Sequence, residues 1–175
     1  MNMPNTTSPS PDPLRPLQPL PLAHEVCGQG PALLLLHGFP QNRAIWQPII
    51  ETLSPHFTLV TPDLRGYGQS PKPASDPEHL TYSKRAMAND LVALMDTLGH
   101  AEFGVVGHDR GARVAHRLAA DHGSRVTRLM LLDISPTLAM YEQTDMTFAA
   151  GYWHWFFLIQ AHPLPENMIG NDPVF

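Results

Sequence analysis

Four short apolar runs constrain the architecture more than any other feature: "ALLLL" (Ala32–Leu36), "FTLV" (Phe57–Val60), "FGVV" (Phe103–Val106) and "LMLL" (Leu129–Leu132). Each is continuous rather than alternating and too short for a buried helix, the pattern of a strand covered on both faces. Helical stretches separate the later runs. The clearest, "YSKRAMANDLVALMDTLG", puts Met87, Leu91, Leu94, Met95 and Leu98 on one face, with Gly99 where a left-handed C-terminal cap belongs. Strands alternating with such helices predict an α/β class, a mostly parallel sheet with helices on both faces.

The chain divides into three stretches. Residues 1–22 carry seven prolines; each fixes φ and removes a backbone donor, so an extended or disordered leader is expected. Residues 23–136 hold the four runs. Residues 137–175 include "MTFAAGYWHWFFLIQ" and predict helices laid over something rather than a fifth strand. At 175 residues, 43% of them hydrophobic, the chain is the size of one domain with one core. A net charge of -5 without a basic block leaves no electrostatic footprint for nucleic acid or an anionic membrane, so small molecules are the expected partners. No apolar stretch approaches a spanning helix, and the first residues lack the charged start and apolar stretch of a signal peptide. The single cysteine, Cys27, forms no internal disulfide, which fits a reducing cytoplasm. The ten histidines show no H-E-x-x-H arrangement and no second cysteine accompanies them, so neither a metal nor a cofactor is expected.

In an open parallel sheet ligands sit beyond the carboxyl ends of the strands. The residues there are "HGFPQ" (His37–Gln41), "DLRGYGQS" (Asp63–Ser70), "HDRGAR" (His108–Arg113) and "DISP" (Asp133–Pro136). "GHDRG", after an apolar run, has the glycine spacing with which a hydrolase exposes a nucleophile, with aspartate in place of serine. A serine that attacked a saturated carbon would become an ether, which water does not readily cleave. An aspartate becomes an ester, which it does. The helix N-terminus favours the Asp109 anion; the alternative role for Asp109 is a simple N-cap. Arg110 and Arg113 lie one helical turn apart, and guanidinium forks fit a carboxylate, offsetting a repulsion of about 4 kcal/mol between two anions 4 Å apart at an effective dielectric near 20. Helical spacing also permits Arg113 to be a solvated surface charge, as expected of Arg117 and Arg125.

Taken together these loops resemble the α/β-hydrolase superfamily from about Gly28 onward, and "GHDRG" with "YWHWFF" resembles its haloacetate (fluoroacetate) dehalogenases. The resemblance implies hydrolytic dehalogenation of a small 2-haloacid through an ester on Asp109. It implies an oxyanion hole from the backbone N–H groups of Phe39 and Arg110, with the Phe39 side chain secondary, and carboxylate binding by Arg110 and Arg113. Asp133 matches the triad acid, capping being the alternative, and His154 and Trp155 match the halide-binding pair, an indole N–H being a donor suited to a departing fluoride. Trp153, Phe156 and Phe157 are expected to be packing, and His37 with Gly38 turn-building. A halogenated acid is the implied partner, with a homodimer in full-length family members.

The order nucleophile, acid, histidine places the family's base after the last strand. After Asp133 only His154 and His162 remain, so the expectation is an N-terminal portion, ending within a helical cap, in which the base is absent and the proline-rich leader stands where a first hairpin belongs. Within the fold the alternative activity is epoxide hydrolysis, with Tyr141 and Tyr152 as the cap candidates. The alternative from another class is a noncatalytic fragment.

Overall fold

A computed structural model describes residues 17–170. Five strands form one sheet: β1 (His24–Gly28), β2 (Ala32–Leu36), β3 (Thr58–Pro62), β4 (Phe103–His108) and β5 (Val126–Leu132), in the order β1-β3-β2-β4-β5. β2, β3, β4 and β5 run parallel, and β1 lies antiparallel on β3 with Val26 opposite Val60. Helices are α1 (Gln47–Leu53), α2 (Lys84–Thr97), α3 (Arg110–Asp121), α4 (Thr137–Glu142), α5 (Met146–Gly151), α6 (Trp153–Leu158) and α7 (Leu164–Gly170).

All four apolar runs are strands: β2 coincides with its run, β3 starts at Thr58 and reaches Pro62, β4 continues past its run to His108, and β5 begins ahead of its run at Val126. β1 was not foreseen. "HEVCG" is largely exposed and has neither an apolar run nor a buried face, so only its pairing with β3 makes it a strand. A strand therefore does precede the first apolar run, where the leader alone was expected, and it pairs with β3 rather than with its sequence neighbour β2.

Alternation along the strands sorts side chains to two faces. Leu34, Leu36, Val60 and Val105 pack with Met87, Leu91, Met95 of α2 and Val114, Leu118 of α3, whereas Leu35 and Leu59 pack with Trp46 and the flank of α1. α2 begins at the Ser83 cap, whose side chain accepts the Ala86 N–H, and Gly99 follows it at φ +79°, the left-handed position expected. β5 differs from the other parallel strands: Leu129, Met130, Leu131 and Leu132 are all exposed.

Residues 1–16 of the proline-rich leader lie outside the described residues. Residues 17–22 are extended and docked: the Leu20 N–H donates to Asp90 (2.7 Å), Leu22 is buried in the core, and the next N–H, of Ala23, donates to Ser70 Oγ (2.9 Å). Asp90 also receives two bonds from Arg65, a buried pair in which both charges are satisfied. The chain forms two compact units, divided after Ile134, and the second is helical with aromatic ring contacts, as the sequence predicts.

Candidate active site

The tight turn around Asp109 follows directly from crowding. A side chain on Gly111 would fall onto the carbonyl oxygens of Leu36 and His37, and a Cβ on Gly38 would lie 2.6 Å from that of Asp109, so helix α3, strand β2 and the loop after it meet only through glycine. Between them Asp109 takes φ 48° and ψ −114°, a backbone conformation in which a non-glycine residue is strained, and strain of this kind clusters at functional sites. Although Asp109 sits at the N-cap position of α3, its side chain makes no cap hydrogen bond. Its Oδ1 instead accepts the Phe39 N–H at 2.9 Å.

The donor loop is held from below by His37, which is wholly buried. The Leu64 N–H donates to His37 Nε2 (3.0 Å), so that nitrogen carries no proton; Nδ1 therefore carries it and donates to the Gly38 carbonyl (2.9 Å). Burial holds the pKa of His37 below its ordinary value, against the opposing effects of that hydrogen bond and of Asp63. The Tyr67 ring meets His37 edge-on with centroids 5.2 Å apart. Asp63 fixes the same stretch, accepting the N–H groups of Arg43 (2.9 Å) and Gln69 (2.8 Å) and the Arg43 guanidinium. His37 is thus a strut between the loops after β2 and β3, a more definite part than the turn-building that "HG" suggested.

Arg110 and Arg113 occupy the first turn of α3, and the Arg110 guanidinium carbon lies 6.0 Å from the centre of the exposed Phe39 ring. Lys84, at the first position of α2, was missed in the sequence. Burial and the nearby Arg110 and Arg113 guanidiniums pull its pKa down to about 8, against the effect of Asp109. The only signal for it was a cation at the positive end of a helix dipole, where a cation is otherwise unfavourable. Burial also pushes the Tyr67 hydroxyl up, with Arg110 acting against it. Arg117 and Arg125 are not free charges: Arg117 pairs with Asp121, and Arg125 pairs with Asp96 (2.6 Å) and lies over the Phe103 ring.

Asp133 ends β5, at φ 54°, with a side chain 90% exposed. Its carboxylate lies 4.0 Å from His108 Nε2. His108 precedes Asp109, and its Nδ1 is buried without a hydrogen-bond partner among the described residues.

The second unit holds His154 and Trp155 on α6. Tyr141 and Tyr152 both flank Trp155, at centroid distances of 6.0 and 6.5 Å, and Tyr152 stacks near His154 at 5.9 Å. Phe156 packs against Tyr141 and Phe148 as expected; Trp153 is 55% exposed, touching Phe157 and His154, and so contributes less packing than expected.

A parallel sheet, a glycine-flanked acidic elbow and a backbone donor aimed at it define a hydrolase of the α/β-hydrolase fold. The chain belongs to that family, whose model matches residues 31–172. It is 54% identical to a fluoroacetate dehalogenase of Burkholderia sp. over 148 residues, which are 85% of this chain and 49% of that protein. It is 43% identical to a soluble epoxide hydrolase of Corynebacterium sp. (strain C12) over 111 residues, 63% of this chain and 37% of that protein. The crystal structure of ALR0039 from Nostoc sp. PCC 7120 superposes with a TM-score of 0.83 at 56% identity, covering 87% of this chain and 52% of that one. The chain therefore spans about half of the length of two of these relatives and 37% of the third.

Proposed function

We propose that the protein to which this chain contributes hydrolyses the carbon–halogen bond of a small 2-haloacid, with Asp109 as nucleophile. The observation that carries the reading is the Phe39 N–H on Oδ1: one oxygen meets a backbone donor of the kind that stabilises an oxyanion, and the carboxylate is not spent on capping its own helix. In the first step Oδ2 attacks the carbon bearing the halogen. A C–O bond forms, the carbon–halogen bond breaks and halide leaves with the electron pair. Oδ1 becomes the ester carbonyl oxygen, already facing the Phe39 donor. Water then attacks the ester carbon, negative charge gathers on Oδ1, and the Phe39 and Arg110 N–H groups stabilise it before the hydroxyacid departs. Arg110 and Arg113 supply the charge that lets an anionic substrate approach an anionic nucleophile. Asp133 orients the base that deprotonates the water, and in the second unit His154 and Trp155 carry ring N–H donors of the kind a halide takes.

The high identity with a fluoroacetate dehalogenase supports this reading, and the two cations behind the nucleophile give it a physical reason. Epoxide hydrolysis stands second, favoured by the Corynebacterium relative and by the tyrosines Tyr141 and Tyr152 on the helical unit, since such hydroxyls could donate to an opening epoxide oxygen. The test is peptide-resolved mass spectrometry of the chain after incubation with chloroacetate, in parallel with a small epoxide. An ester on the Asp109 peptide from chloroacetate, absent in Asp109→Asn, is the expected result; modification by the epoxide alone would favour the second reading.

A further inference from the structure

We propose that the Phe39 side chain is a positioning residue for Arg110, holding its guanidinium beside Asp109 so that a small carboxylate meets a preset anion subsite. The inference rests on the haloacid reading and concerns its specificity. Phe39 touches both neighbours in the elbow: its N–H donates to Asp109 Oδ1 at 2.9 Å, and its ring centre lies 6.0 Å from the Arg110 guanidinium carbon. The ring is 63% exposed, so core packing does not explain an aromatic residue here. Its base is rigid, because His37 is bonded through both ring nitrogens and Gly38 is pressed against Asp109. A guanidinium on a long, rotamer-rich side chain loses freedom when it clamps a carboxylate, and an aromatic face that restricts it beforehand reduces that loss. Electrostatic attraction between ring face and cation needs the quadrupole of an aromatic ring; leucine keeps the backbone donor and the apolar bulk and lacks that quadrupole.

The test is an NMR titration of the chain with sodium acetate, and with acetamide as its neutral counterpart. Phe39→Leu should weaken acetate binding about threefold, the worth of an exposed cation–π contact, and acetamide binding less. The Arg110 side-chain protons should lose their ring-current shift in Phe39→Leu. Phe39→Tyr should restore both the shift and the affinity. Unchanged acetate affinity in Phe39→Leu, an equal loss for acetamide, or a tyrosine variant no better than leucine would each overturn the proposal. A parallel chloroacetate incubation separates it from the functional reading: no ester on Asp109 in the unsubstituted chain would defeat dehalogenation, whereas the acetate results judge the positioning of Arg110 alone.

Discussion

Asp109 and Asp133 end neighbouring parallel strands, and both have positive φ, 48° and 54°. Their surroundings are otherwise opposite. Asp109 joins β4 to α3, with Gly38 pressed against its side chain and a backbone N–H on one oxygen. Asp133 ends β5, the last strand of the described sheet, and its side chain is 90% exposed with a histidine 4.0 Å away. The strands repeat the contrast: "FGVV" in β4 is buried or nearly so, whereas every residue of "LMLL" in β5 is exposed. A strand end becomes a rigid site when elements pack on both of its sides, as at β4; among the described residues β5 pairs with β4 alone.

The sharpest way to break the comparison is to remove one carboxylate at a time. Asp109→Asn should abolish ester formation from chloroacetate, a loss of at least about a thousandfold, because the attacking oxygen itself is gone. Asp133→Asn should leave ester formation standing, since the first step needs no base. Mass spectrometry of the Asp109 peptide over time reads both, and loss of ester formation in Asp133→Asn would show that the two positions are more alike than their exposures indicate.

Stability offers a second measure. Leu34→Ala, at a fully buried β2 position, should cost about 2–5 kcal/mol in denaturant unfolding. Leu131→Ala, at a β5 position 38% exposed, should cost under about 1 kcal/mol. Equal losses would mean that β5 is covered in solution.

Smaller effects belong to the cations. Arg113→Met should weaken acetate binding about tenfold, the worth of a charge-assisted hydrogen bond, with acetamide little affected. Lys84 is charged below about pH 8 and neutral above it, so acetate affinity should fall a few-fold as pH rises through that value. The charged groups facing Lys84 are Arg110, Arg113 and Asp109, and Tyr67, raised above its ordinary value, titrates higher still. Lys84→Met should flatten the dependence at the weaker level, and a fall that survives in that variant would place the titrating group elsewhere.

Much of this was legible in the chain itself. Continuous apolar runs followed by glycine-rich polar loops located four strands and the carboxyl ends at which the candidate residues gather, because burial on both faces demands such runs and tight strand-to-helix turns demand glycine. "HEVCG" escaped because an exposed edge strand carries no apolar pattern. Lys84 escaped because its place near Arg110 and Arg113 depends on α2 reaching the start of α3 from a distant part of the sequence.

The sequence by itself determined the class of sheet, the elbow and the residue types that its chemistry requires, since those follow from local burial and backbone geometry. Only the tertiary structure decided that Asp109 accepts the Phe39 N–H instead of capping α3, that a buried, neutral His37 braces the donor loop, and that the Phe39 ring lies beside Arg110. The physical reason is sequence distance: Phe39 and Asp109 are 70 residues apart, and no local propensity encodes which donor finds which acceptor once the strands between them are paired.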